Sequence, residues 1–431
     1  MKRLLKFIVI WILTIEARLV IARYRPYIIA VTGNIGKTSA KDAIYSALSA
    51  SLFIRKSEKS LNSDVGVPLT ILGCESGWDN PFKWLSNIAE GLALIFLRNH
   101  YPRTLVLEVG ADRPGDIKKI AKWIHPDIAV ITGVPNVPVH VEYFASAEEV
   151  VAEKRELAEA VRIGGALVLN GDEERTYAIR SEFRGIAVTY GLKDHNDVVA
   201  SRVEVLYEEE KPAGMRFRVD VSGASVPVVI RGSVGKTHVY PALAALTVGL
   251  QLKKDLVSMA GALSKHDPPP GRMRVLPGVH GSTIIDDTYN ASPAALTAAL
   301  ETLESVQVRG RKIAVIADML ELGKFSVEAH REAGKKVAQL ADMLVTVGLR
   351  SRTIAESAAE AGMPKDCIVQ YDDGTSSQAG KDLREMVKEG DIVLVKGSQS
   401  MRMERAVKEL LADPSRAPEL LVRQDRAWSK R

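Results

Sequence analysis

The stretch "PYIIAVTGNIGKTSAKDAIYSALSA" (residues 26–50) constrains this chain more than any other. "PYIIAVT" is an apolar, β-branched run with the length of a buried strand, and "KTSAKDAIYSALSA" carries helical periodicity. The hexamer "GNIGKT" joins them, placing Gly33 and Gly36 where backbone must turn sharply between strand and helix. A buried strand feeding a helix through a glycine turn is the first half of a βαβ unit, so the expectation is a parallel sheet with helices on both faces. The same turn aims amide N–H groups at one point and suits a phosphate, with Lys37 reaching the β/γ-phosphates and Thr38 the accompanying Mg²⁺.

The alternation continues along the chain. "TLVLEVG" (104–110), "DIAVIT" (127–132) and "GALVLN" (165–170) read as strands, with a helical pattern over 146–163. Residues 200–232 alternate polar and apolar around "KPAG", the pattern of an antiparallel meander added to that sheet. A helix is expected over 241–252, and the proline-rich "HDPPPGRMR" (266–274) reads as a hinge. Beyond it, strands and helices alternate again as a second, Rossmann-like α/β unit. The expected fold class is therefore α/β: a P-loop central domain with a mostly parallel sheet plus a meander, then a Rossmann-like C-terminal domain. The corresponding limits are an apolar basic N-terminal helix over 1–26, a central domain over 27–268 and a C-terminal domain over 269–431.

The 431 residues allow two or three domains, and 46% apolar with 26% charged residues describes a folded chain. The net charge of +5 is scattered and gives no case for nucleic acid. Two cysteines, Cys74 and Cys367, with no metal spacing, fit a reducing compartment. The N-terminal run Leu4–Ile15 is broken by Lys6 and ends at Glu16, too short to span a bilayer. Two readings stand for residues 1–25: an amphipathic helix on a membrane surface, with Lys2, Arg3, Lys6 and Arg18 near anionic headgroups, or a helix packed on the protein itself.

A second hexamer, "GSVGKT" (232–237), matches the first by pattern. It follows an antiparallel strand, and Pro241 marks a helix start about four residues after Lys236, so it lacks the phosphate-loop context.

With the first loop placed, a run of further motifs in order resembles the Mur ligases, MurF type. They are "SLNSDVGVPLTIL" (60–72), "LEVGADRPGDI" (107–117), "HVEYFAS" (140–146), "VAEKRELAEAV" (151–161) with "LNGDEE" (169–174), "PPGRMRV" (269–275), "IIDDTYNASPAAL" (284–296), "IADMLELG" (316–323) and "LVKGSQSMRMERAV" (394–407). The resemblance implies an ATP-dependent ligase of peptidoglycan precursor synthesis in the cytoplasm or at the inner face of the membrane. It would join D-Ala-D-Ala to a muramoyl peptide through an acyl phosphate. It implies ATP contacts from Gly33, Asn34, Gly36, Lys37, Thr38 and Ser39, and from His238, Arg272, Asp287 and Asn290. Two Mg²⁺ are implied, one on Thr38 and Glu108, the second on His140 and a carbamylated Lys154, with Lys37, His140 and Lys154 as the catalytic set. Asn62, Lys396 and Ser398 match the substrate side. The chain departs from the family at Asn34 and Ala317, at "ITGVPNVPVHVE" before His140, and at "GKTHVYPALAA" (235–245), where His238 stands in an asparagine's place near adenine. Only 32 residues precede Gly33, and the family's UDP-binding domain has no counterpart among them. The alternatives are the same chemistry on a lipid-linked acceptor, a folylpolyglutamate-like ligase, and a non-catalytic nucleotide-binding protein.

Overall fold

The computed structural model describes residues 2–58, 61–77, 80–134, 144, 146–372, 375–424 and 428. Helix α1 (Lys2–Tyr24) leads directly into β1 (Tyr27–Thr32), and α2 (Lys37–Leu48) leaves the glycine turn. There follow β2 (Ile54–Lys56), α3 (Gly66–Leu72), α4 (Pro81–Phe96), β3 (Thr104–Glu108), α5 (Asp116–Ile124), β4 (Ile128–Ile131), α6 (Ala147–Glu159), β5 (Ala166–Asn170), α7 (Glu174–Glu182) and β6 (Ile186–Gly191). The meander is β7 (Val198–Glu208), β8 (Lys211–Val221) and β9 (Ala224–Arg231), closed by α8 (Val239–Gln251) and α9 (Leu256–Leu263). These nine strands form one sheet in the order β2-β3-β1-β4-β5-β6-β7-β8-β9, parallel up to β7 and antiparallel beyond it.

The second sheet holds β10 (Arg274–Pro277), β11 (Thr283–Asp287), β12 (Lys312–Ala317), β13 (Met343–Val347), β14 (Ile368–Tyr371) and β15 (Ile392–Lys396) in the order β10-β11-β15-β12-β13-β14. Only β10 is antiparallel to its neighbour. The strand order switches between β11 and β12, where β15 is inserted, and sheets of this kind bind ligands at the carboxyl ends of the strands beside such a switch. Helix α10 (Pro293–Ser305) follows β11 with Ser292 capping its first turn.

The meander turns before "KPAG" (211–214) rather than within it. Glu209 and Glu210 both take positive φ (49° and 64°), the two-residue turn whose twist matches the flanking strands. "KPAG" therefore lies inside β8, with Pro212 opposite Tyr207 at a register shift where the ladder is already interrupted. The Pro241 helix likewise begins two residues early, at Val239, behind a single 3₁₀ turn over Lys236–His238.

Helix α1 packs one face on the protein. Leu13, Ala17, Val20 and Ile21 join the core formed by α3, α4, α5 and the adjacent face of the parallel sheet. Glu16 is carried into that interface. It is 3% exposed, neither carboxylate oxygen has a hydrogen-bond partner, and a Cβ on Gly91 would stand 2.2 Å from Oε2. Burial pushes its carboxyl up from 4.5 to about 7. An acid raised in this way costs nothing below pH 4.5, costs increasingly as pH climbs to about 7, and then holds that penalty. Glu16→Gln is expected to stabilise the protein at pH 8 by up to about 3 kcal/mol and to change nothing at pH 4. Denaturant melts of both proteins at the two pH values check this; equal stability at pH 8 contradicts it.

A candidate active site at the loop after β1

The loop is strapped to the neighbouring strand ends. Asn34 N–H donates to Gly133 O (2.8 Å), and Thr132 Oγ1 donates to Ile35 O (2.5 Å). Asn170 Nδ2, at the end of β5, donates to Thr132 O (2.9 Å). Gly33 has φ 144°, and a Cβ there would lie 2.2 Å from Thr132 Oγ1, so only glycine fits. Gly36 is the N-cap of α2 and supplies no side-chain cap, which leaves the first amides of the helix directed at the loop. The Asn34 side-chain oxygen is also buried there without a partner. Lys37 folds back, donating to Gly33 O (2.8 Å) and Asn34 O (3.3 Å). Burial lowers its pKa, Glu108 opposes that, and Arg272 adds to it.

Register places Glu108 beside this loop. In the parallel β1–β3 pair it lies across from Val31, one residue before the strand end. Its Oε1 accepts from Thr38 Oγ1 (3.1 Å) and from Asn62 Nδ2 (3.1 Å), while Oε2 lies 3.9 Å from Lys41 Nζ. The Asn62 backbone is fixed in turn, accepting from Gly110 N–H (2.8 Å). Thr38 and Glu108 thus present two hard oxygens side by side, a donor set that fits Mg²⁺. Lys41 is a residue that sequence reasoning passed over. It is fully buried, donates to Ser57 O (2.8 Å) and holds the far side of Glu108. Its spacing of four from Lys37, on the same helix face, was the available signal.

Lys154 stands on α6, whose N-terminus is capped by Ser146. Glu153, also not singled out from sequence, accepts from Gly115 N–H and Ile117 N–H (both 2.6 Å) and so pins α6 to the start of α5. Lys154 is buried beside it. Desolvation pulls its ammonium down to about 7; Lys37 pushes the same way, and Glu153, Asp112 and Asp116 oppose. An amine of that pKa is largely neutral at pH 8 and is fit to take up CO₂. His140 lies outside the described residues.

The nucleotide-side residues come from both sheets. Arg272 stacks its guanidinium over Tyr289 at 4.1 Å and acts electrostatically on Lys37, His238 and Asp287 together. His238 is buried, and desolvation followed by His266 pulls it down to about 4, so it is neutral at physiological pH. It shares a small pocket with Ser39 and His266. Asp287 and Lys396 are register partners across β11 and β15, and Lys396 Nζ binds Asp287 Oδ2 (2.6 Å) and Asn290 O (2.9 Å). Burial raises the Asp287 pKa against the pull of Lys396 and Arg272. Asn290 Oδ1 accepts from Gln399 N–H (3.3 Å), and Ser398 Oγ accepts from Leu320 N–H (2.8 Å). Lys396 therefore sits with the Asp287 cluster, and Ser398 is buried within the C-terminal sheet's loops.

The second hexamer lies elsewhere. Lys236 and Thr237 are exposed and line a cavity of about 690 Å³ with Tyr207, Met215, Glu301 and Thr302.

Two family models cover most of this architecture. The Mur ligase middle domain matches residues 31–249, just over half of the chain, and the Mur ligase glutamate ligase domain matches 271–399. The chain belongs to the Mur ligases. Among its relatives is the UDP-N-acetylmuramoyl-tripeptide–D-alanyl-D-alanine ligase of Bacillus subtilis, 29% identical over 395 residues, which cover 90% of this chain and 76% of the relative. The Escherichia coli ligase of the same name is 25% identical over 390 residues, 89% of this chain and 76% of the relative. The fold of this Mur ligase is similar to the MurF ligase of Thermotoga maritima in complex with ADP, with a TM-score of 0.75 at 24% identity over 95% of this chain and 84% of that one. The fold likeness extends to the folylpolyglutamate synthase of Mycobacterium tuberculosis at a TM-score of 0.62 and 15% identity, covering 92% and 94%.

Proposed function

We propose that this Mur ligase joins D-Ala-D-Ala to the peptide carboxylate of a UDP-muramoyl-tripeptide at the expense of ATP. The relatives' names support the substrates, and the hydrogen-bonded cluster of Thr38, Glu108 and Asn62, with Lys37 folded onto the loop after β1 beside it, carries the reading. Residues 27–268 would form the central nucleotide-binding domain and 269–431 the domain that closes on it.

The acceptor carboxylate is a poor electrophile. Its oxygen attacks the γ-phosphorus, the bond to ADP breaks, and an acyl phosphate results. The dipeptide amine then attacks the acyl carbon, loses its proton, and inorganic phosphate leaves. The protein's part is positioning and charge compensation. Lys37 leaves the loop carbonyls for the β/γ-phosphates, and the α2 amides face the same oxygens. Thr38 and Glu108 would hold Mg²⁺, which would supply charge neutralisation for the phosphates, with Asn62 and Lys41 keeping Glu108 in place. Carbamylated Lys154 and His140 would hold a second Mg²⁺. Arg272, delivered from the far side of the hinge, reaches ATP on closure, with His238 toward adenine and Asp287 and Asn290 toward the ribose. Lys396 would hold Asp287 and Asn290 in place on the nucleotide side, and Ser398 would order the loop beside the dipeptide.

A reaction that consumes ATP and a nucleotide-linked acceptor favours the cytoplasm, and the exposed apolar surface of α1 favours a second reading, contact with the inner face of the membrane and a lipid-linked acceptor. ADP release is measured with ATP, Mg²⁺, bicarbonate, D-Ala-D-Ala and either the soluble or the lipid-linked acceptor. The first reading expects turnover with the soluble acceptor that requires the dipeptide. Turnover with the lipid-linked acceptor alone selects the second reading, and no ADP release with either removes both.

A further inference from the structure

Among the described residues, α4 has an unusual distribution of side chains. Asn80 caps it, accepting from Phe82 N–H (3.0 Å) and Lys83 N–H (3.3 Å), with Pro81 in the first turn. Its inward face buries Asn87 and Gly91, whereas its outward face carries Phe82, Leu85, Leu92 and Phe96, with Phe82 78% and Phe96 75% exposed. Spacings of three, seven and four put these four on one stripe, so the apolar stripe faces out. Helix α1 lies alongside and exposes Phe7, Ile8, Trp11 and Leu19. The helices run parallel. Glu16 meets Gly91, Tyr24 OH donates to Leu94 O (2.9 Å), and Arg23 donates to Leu97 O (3.0 Å). The N-terminal aromatics of both helices therefore lie at the same end of the pair.

Charge identifies what this surface meets. Lys6, Arg18 and Arg98 are exposed along it, and Lys83 is half-buried. The two helices contain one acid each: Glu16 is buried, and Glu90 is exposed but lies about a third of a turn off the apolar stripe, accepting from Cys74 and Ser86. A large apolar patch with a basic rim matches an anionic bilayer surface. A two-fold pairing of this chain through the same patch would set the basic rim against its own copy. No described helix is long and apolar enough to cross a membrane, so the geometry is one of lying on the surface.

We propose that α1 and α4 together form a docking surface for an anionic lipid bilayer. This deepens the membrane contact put forward above by adding α4 as its second half. It does not depend on the ligase chemistry, because binding is read without turnover.

The full chain is sedimented with vesicles of phosphatidylcholine alone or mixed with phosphatidylglycerol. Binding to the mixed vesicles, weakened by salt, is expected. Phe82→Ser with Phe96→Ser should lower the bound fraction roughly tenfold or more at an unchanged melting temperature, since both side chains are already exposed. Arg18→Gln with Lys6→Gln should weaken binding to the mixed vesicles only. A folded chain that binds neither vesicle, or binds as well with both phenylalanines replaced, overturns the proposal. So does a dimer in light scattering that the phenylalanine substitutions dissociate, which would make the surface a subunit interface.

Discussion

Lys37→Ala is expected to lower kcat by roughly a thousand-fold, the effect of removing a half-buried cationic donor from a transferring phosphoryl group. Lys236→Ala, at the same place in a hexamer of the same pattern, is expected to leave kcat within about threefold and at most to raise the KM for ATP. The difference rests on position. Lys37 is at the start of a helix whose amides face the loop, one residue from Thr38 on Glu108. Lys236 is exposed in a single 3₁₀ turn behind an antiparallel strand and lines a different cavity. Steady-state phosphate release for the two variants side by side is the measurement. Comparable losses in kcat would mean that the second hexamer also handles phosphate.

Lys154→Ala carries the second-largest expected loss, roughly a hundred-fold or more in kcat, as for removal of a group that holds a catalytic ion. Its distinguishing signature is chemical. Because burial sets the amine near 7, carbamylation should increase as pH rises through that value, where the neutral amine becomes the main form. With ¹³C-bicarbonate, a carbamate resonance should appear in the parent protein, grow between pH 6 and 8, and be missing from Lys154→Ala. Short carboxylic acids should restore part of the variant's activity. A parent protein with full activity and no carbamate signal would leave Lys154 as a structural lysine.

Legibility differed from residue to residue. The loop at 33–38 could be read directly because its requirements are local: a strand before, a helix after, glycine where φ is positive. Glu108 and Lys154 were readable only through the order of motifs, since a strand-end acid and a helix lysine look ordinary by themselves. Lys41 and Glu153 were missed because their partners, Glu108 in one case and the Gly115 and Ile117 amides in the other, come from segments 36 to 67 residues away. The displaced hairpin turn shows the same limit at short range. "KPAG" has turn composition, yet two glutamates adopt the turn because strand pairing on both sides sets the register.

By itself the sequence determined the alternation of strands and helices, the one loop with phosphate-binding context, and the family, all of which depend on residue type and spacing along the chain. Only the tertiary structure decided which charges are desolvated. Lys154 near 7, His238 near 4 and Glu16 near 7 follow from what distant segments pack around them. It also decided how α1 divides between core and surface, and that α4 extends its apolar face. A helical pattern shows which residues share a stripe, and the neighbouring elements decide whether that stripe is covered.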